Sequence, residues 1–279
     1  MVKTKRKKKN TLLITVSVFF LAFLGFFVYN LVEYLSWAND GRISQVNTET
    51  VYNIFNDYML ELSQIFNEDT ITPAGYIDIP IQTTFSFNGP SPLDIVRSHT
   101  QNNDIVAYIF IDGTNINNVV MHTYDNDFYL YHDMYGNPNV NGALFMDFRN
   151  NINFLDPNTI IYGHNMRNGT MFHNLRYYMQ QSFFDNNRIV KVITDTQVFI
   201  YEIFSTFSTL VDFDYIQVFF ENEQQFGGLI DELKARSIFT VDTTVSTSDN
   251  ILILSTCTNV DVDARYVVVA KLVSVLDIV

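Results

Sequence analysis

Acyl transfer in proteins is carried out by thiols, imidazoles and guanidinium groups, and this sequence offers a single thiol, Cys257, among 279 residues. A cysteine nucleophile needs a partner that favours the thiolate and then hands a proton to the leaving amine, for which histidine is the usual choice. Of His99, His122, His132, His164 and His173, only His164 directly follows a compact apolar run (TIIYG). It also precedes a polar loop, NMRNGT, suited to a pocket rim. The tetrahedral intermediate of acyl transfer further requires a donor for its oxyanion, and a guanidinium is always charged and rich in N–H groups. Arg265 lies eight residues beyond Cys257, so a short turn between adjacent strands would bring both to one rim.

Each of these residues also has an ordinary reading. A lone cysteine beside an apolar run is commonly a buried small hydrophobe, and a single thiol can instead form an intermolecular link. A histidine is most often a surface or core residue with a satisfied hydrogen bond. Arg265 could simply pair with Asp261 or Asp263 as an exposed ion pair. On the residues alone, both the catalytic and the bland readings stand open.

The elements that must position these residues are short. From Asn103 onward the sequence breaks into apolar runs separated by turn residues: IVAYIFI, NVVMHTY, TIIYGHN, RIVKVIT, VFIYEIF, NILILST and RYVVVAKLV. Several such runs at close spacing predict a mostly-β barrel or sandwich. Cys257 then falls at the end of one strand and Arg265 at the start of the next. Within Glu221 to Arg236, Phe226, Leu229, Ile230 and Leu233 keep helical spacing and predict a helix inside the β region. Leu31 to Asn67 is also expected to be helical, with Val51, Ile54, Phe55, Tyr58, Met59, Leu62, Ile65 and Phe66 as its apolar stripe. Asp69 to His99, with Pro73, Pro80, Pro90 and Pro92 beside Gly75 and Gly89, reads as loop with short extended pieces.

Charge and hydropathy place the chain. Its formal net charge is −13, although the first ten residues contain Lys3, Lys5, Arg6, Lys7, Lys8 and Lys9 and no acidic side chain. The rest is therefore still more acidic and lacks a basic stripe, which argues against nucleic-acid binding. Thr11 to Tyr29 is uncharged and about the length a helix needs to span a bilayer. The lysines before it place residues 1–10 in the cytoplasm and everything after Asn30 outside. A cleaved signal peptide is the competing reading, but the apolar run exceeds a usual h-region and no small-x-small cleavage site follows. The expected organisation is a basic tail (1–10), a single-pass membrane anchor (11–29), a helical and irregular extension (30–102) and a catalytic β-domain (103–279).

Four segments in order, NGALFMDFRN (141–150), NTIIYGHNMRNGTMFHNL (158–175), NILILSTC (250–257) and RYVVVAKL (265–272), resemble the sortase family, specifically its class B. The resemblance covers about residues 103–273. It implies a closed eight-stranded β-barrel with N-terminal helices and a helix in the loop between strands six and seven. It also implies an active site of His164, Cys257 and Arg265. Asn126, Leu130, Tyr215, Ile216 and Ser255 match positions that line the sorting-signal groove. Where the family often has Trp and Pro in the first strands, this chain has Tyr108 and Asn118. The implied activity is cleavage of a C-terminal sorting motif on a secreted protein through a Cys257 thioester, followed by transfer to a cell-wall peptide amine or a pilin lysine. No cofactor is implied, and no specific carboxylate cluster suggests calcium or another metal. A peptidase that hydrolyses the same thioester, or a catalytically idle binding module on the same scaffold, remains an alternative.

Overall fold

The computed structural model describes residues 2–65, 84–87, 89–209, 213–257 and 265–279; at residues 2–14 and 63–65 and at Cys257 it describes the backbone alone. Asp261 and Asp263, the ordinary partners considered for Arg265, lie outside the described residues, as do residues 66–83. The chain divides into two compact units, Met1–Ile43 and Ser44–Val279.

Helix α1 (Val2–Ile65) begins in the first unit, where Val16, Phe19, Phe20, Phe23, Phe26 and Phe27 are all exposed. It carries one segment long and apolar enough to cross a membrane. Within the second unit Val51, Phe55, Tyr58 and Leu62 of the expected stripe sit in the core and Ile54 and Met59 pack partly buried against it; the Ile65 side chain and Phe66 lie outside the described residues. Phe55 stacks on Tyr108 with ring centroids 3.9 Å apart and planes 9° from parallel. Thr48 Oγ1 donates to Asn118 Oδ1 at 2.8 Å, and Asn141 Nδ2 to Ser44 Oγ at 2.9 Å. Phe55→Ala removes a fully buried ring whose stacking partner cannot collapse into the gap, so it is expected to cost about 3–5 kcal/mol. Denaturant unfolding of the parent and the variant checks this.

A two-residue strand, β1 (Thr84–Phe85), precedes helix α2 (Pro92–Thr100). The stretch read as loop thus contains a helix. Pro92 stands in its first turn after Ser91, where the missing N–H costs nothing because that donor has no intrahelical partner anyway.

The remaining strands are β2 (Ile105–Ile111), β3 (Asn117–Met121), β4 (Leu144–Met146), β5 (Asn158–His164), β6 (Ile189–Ile193), β7 (Gln197–Thr209), β8 (Ile251–Cys257) and β9 (Arg265–Ile278). They pair in the order β9-β7-β6-β2-β3-β4-β5-β8, and β8 pairs back onto β9, closing an eight-stranded barrel, with β1 added beside β9. The β3–β4 and β5–β8 pairs are parallel and the others in the ring antiparallel. Alternate residues feed two apolar clusters, one containing Ala107, Ile109 and Ile111, the other Tyr108 with residues of α1 and α2. Burial on both faces explains why these strands read as unbroken apolar runs rather than alternating ones.

Helix α3 (Gln181–Asn186) follows a 3-10 helix at Phe172–Met179. Helix α4 (Glu223–Arg236) lies between the sixth and seventh barrel strands and buries Phe226, Leu229, Ile230 and Leu233, the four residues whose spacing predicted it. Its first turn is closed by Asn222, whose side chain accepts from the Gln225 N–H, while the Gln225 side chain accepts from the Glu221 N–H.

Candidate active site

Three adjacent strands end or begin at one rim of the barrel. The parallel pairing of β5 with β8 sets Tyr162 against Ser255, Gly163 against Thr256 and His164 against Cys257. In the antiparallel pair β8–β9, Ser255 faces Val267. The same register carried two residues further brings Cys257 level with Arg265, which pairs on its other side with Thr209 of β7. Neighbouring strands lie about 4.8 Å apart, so the cysteine backbone sits between those of the histidine and the arginine, one strand from each. Residues 93 positions apart in the chain are thus placed side by side by register alone.

The histidine is held from behind. His164 is only 3% exposed, and its Nε2 is 2.8 Å from the carbonyl oxygen of Leu130. A carbonyl can only accept, so Nε2 donates and the neutral ring carries its basic lone pair on Nδ1. The carbonyl is itself fixed. Leu130 ends a 3-10 turn (Phe128–Leu130) whose entry is set by Asp125 Oδ1, which accepts from the backbone N–H groups of Asp127 and Phe128. Gly163, before the histidine, has no room for a Cβ, which would run into the Leu144 and Phe172 side chains. That explains the small residue in an otherwise bulky strand.

Of the residues expected to line a groove, Leu130 and Ser255 lie near this rim, through the Leu130 carbonyl at His164 and the place of Ser255 two residues before Cys257, whereas the backbone around Ile216 is bonded to Asn158 at the other end of β5. Tyr215 Oη and Ser255 Oγ lie 2.8 Å apart, both buried, in a contact where either hydroxyl can donate. Asn126 donates from Nδ2 to Asp147 Oδ2 at 3.1 Å and accepts at Oδ1 from the Phe148 N–H at 2.9 Å. The Ile216 carbonyl accepts from Arg149 Nη2 at 2.8 Å. Three of the other histidines occupy ordinary settings, while His122 buries an Nε2 without a hydrogen-bond partner among the described residues. His132 stacks on Phe128, His99 meets Tyr135 edge-on and His173 is bonded to Asn165. Burial, and then the neighbouring Arg176 charge, lower the affinity of His173 for a proton.

Two residues that sequence reasoning passed over stand at the centre of this region. Asp147, fully buried, takes hydrogen bonds from Arg149 Nε at 2.8 Å, Arg149 Nη2 at 2.7 Å and Tyr162 Oη at 2.9 Å. Burial alone would raise its pKa. The hydrogen bonds from the Arg149 side chain and backbone, the Tyr162 hydroxyl and the Arg149 charge outweigh it, so the carboxyl is held below the usual range. Both residues lie in the NGALFMDFRN motif, whose order was visible but whose partners, scattered from 126 to 216, were not. Among the described residues, no group of three or more His, Cys, Asp or Glu side chains is arranged to hold a metal ion.

The sequence model of the Sortase domain family matches residues 109–273. The chain belongs to the sortase family. Its relatives assign it to class B: it is 37% identical to Sortase B of Listeria monocytogenes over 210 residues, covering 75% of this chain and 85% of the relative. To Sortase B of Staphylococcus aureus it is 36% identical over 176 residues, covering 62% and 72%. Among solved structures, the Staphylococcus aureus sortase B-substrate complex superposes with a TM-score of 0.62 at 34% identity, covering 66% of this chain and 85% of that one. Sortases are cysteine transpeptidases, and this sortase is an enzyme of that type, with the family's closed eight-stranded barrel.

Proposed function

We propose that this sortase cleaves a C-terminal sorting motif of secreted proteins and passes the acyl group to an amine of a cell-wall peptide or a pilin lysine, with Cys257, His164 and Arg265 as its catalytic residues. The observation that carries this reading is the strand register that sets Cys257 between His164 and Arg265. In this mechanism the Cys257 thiolate attacks the carbonyl carbon at the cleavage point, and the Arg265 guanidinium hydrogen-bonds the oxyanion that forms. His164, which has taken the Cys257 thiol proton onto Nδ1 as the thiolate formed, gives that proton to the departing amine. The C–N bond breaks, leaving a thioester. The acceptor amine then attacks the thioester carbonyl, His164 takes its proton, and the thiolate is released as the new amide forms. One amide replaces another, so the exchange needs no nucleotide.

The donor groove of this reading runs past Asn126, Leu130, Tyr215, Ile216 and Ser255. That class B relatives are this similar over the barrel, one of them in a complex with substrate, supports a peptide donor. The reading also takes residues 1–10 as a cytoplasmic tail, 11–29 as the anchor, 30–102 as an extension and 103–279 as the catalytic domain outside the membrane. The exposed apolar face of α1 supports the anchor, which would hold the enzyme where secreted donors and lipid-linked acceptors meet.

Arg265 provides a test separate from the nucleophile. Arg265→Lys keeps the charge but loses the planar fork, and Arg265→Met loses both. The expectation is a fall in kcat of about 10²- to 10³-fold for Met and a smaller fall for Lys, with KM for the donor peptide changed little. Steady-state cleavage kinetics on the detergent-solubilised full chain check it. An Arg265→Met enzyme with parent kcat removes the arginine from the mechanism.

A further inference from the structure

The Asp147–Arg149 pair connects two segments, 122–130 and 213–222, between which no backbone hydrogen bond runs among the described residues. On one side Asp147 Oδ2 accepts from Asn126, and the Phe148 N–H between the paired residues donates back to the Asn126 side chain. On the other side Arg149 Nη2 bridges Asp147 Oδ2 at 2.7 Å and the Ile216 carbonyl at 2.8 Å. Tyr162, two residues before His164 on β5, fixes the same carboxylate oxygen. Asn126 lies four residues before Leu130, whose carbonyl orients the His164 ring. One ion pair, its carboxylate buried and its guanidinium side chain 31% exposed, thus ties the 122–130 segment, the 213–222 segment and the strand that carries the histidine.

We infer that Asp147 and Arg149 are positioning residues that fix the two walls of the acyl-donor groove at a set separation and so determine how tightly the sorting segment is held. This rests on the donor groove proposed above. The pair is suited to the task because a bidentate guanidinium–carboxylate contact fixes direction as well as distance, and its carboxylate is buried. Its members touch neither the thiol nor the oxyanion position in this assignment, so their loss acts on donor binding before it acts on chemistry.

The test uses the full chain in detergent, with Arg149→Lys, which keeps a charge beside Asp147, and Arg149→Met, which does not. The donor probe is the peptide that acylates the parent enzyme most readily in a library of C-terminal sorting segments. Losing charge-assisted hydrogen bonds at the groove wall is expected to raise donor KM about 10- to 100-fold in Arg149→Met. The Lys variant should fall between Met and parent. In both, kcat, KM for the acceptor amine and the rate at which iodoacetamide alkylates Cys257 stay within about twofold. Hydrogen–deuterium exchange read on the same variants should rise at 122–130 and 213–222 and stay unchanged in β2, β6 and β9. A uniform rise across the barrel, no rise in either wall, or a fall in kcat at constant KM overturns the inference. Should the parent acylate on no peptide, the functional reading fails by itself. Exchange confined to the two walls would then still support the clamp, and its absence would still overturn it.

Discussion

Cys257→Ala is expected to abolish donor cleavage and amine transfer together, a loss on the order of 10⁶-fold that leaves no measurable turnover. The size follows from the role. A side chain that forms the covalent intermediate cannot be replaced by binding energy or by the oxyanion donor, because without the thioester neither half-reaction has a path. The effect must also be selective. The backbone at Cys257 is fixed by its pairing with His164 on β5, and alanine can hold the same strand conformation, so melting temperature should move little while activity disappears. Circular dichroism beside a cleavage assay separates the two. Residual cleavage within a hundredfold of the parent would place the nucleophile elsewhere, and no second cysteine is available to supply it.

The next largest effect is expected at His164. Removing a positioned proton donor and acceptor costs about 10²- to 10⁴-fold in rate, or about 3–5 kcal/mol of transition-state stabilisation. His164→Ala should therefore be severe but measurable. His164→Gln tells more, because a glutamine can still donate to the Leu130 carbonyl now 2.8 Å from Nε2 while lacking a basic nitrogen in the place of Nδ1. If proton transfer is the function, Gln should be as inactive as Ala; if the ring merely braces the Leu130 turn, Gln should recover most of the activity. Single-turnover acylation of Cys257 measured against pH decides between these outcomes. The parent rate should depend on a group that both variants lack.

How much of this could be read from the sequence varies by element, for physical reasons. NTIIYGH and NILILSTC were recognisable as strands because burial on both faces leaves them almost wholly apolar, and their ends then marked His164 and Cys257. Their parallel pairing could not be read, since nothing local states which strands are neighbours in a ring. Helix α4 showed itself through Phe226, Leu229, Ile230 and Leu233, whose spacing is the burial pattern itself. Helix α2 did not, because Pro92 reads as a breaker unless Ser91 is recognised as the residue before the first turn. Strand β4, at three residues, is too short to show any period. The resemblance points to Leu130 as a groove position, but it is its backbone carbonyl that holds the histidine, and side-chain patterns carry no record of that. Asp147 and Arg149 look like ordinary charged residues in sequence, since what distinguishes them is burial and partners at Asn126, Tyr162 and Ile216.

The most direct test of the central claim is intact-mass analysis of the full-length chain in detergent, incubated with a library of sorting-segment peptides, with and without an amine acceptor. The account expects a peptide acyl adduct on Cys257, absent in Cys257→Ala, that disappears on adding the amine as the amide product forms. An adduct released at the same rate with or without amine, yielding only free acid, would make the enzyme a peptidase. If no peptide gives an adduct or cleavage while a thiol-reactive probe labels Cys257, the transpeptidase mechanism proposed for these three residues is contradicted.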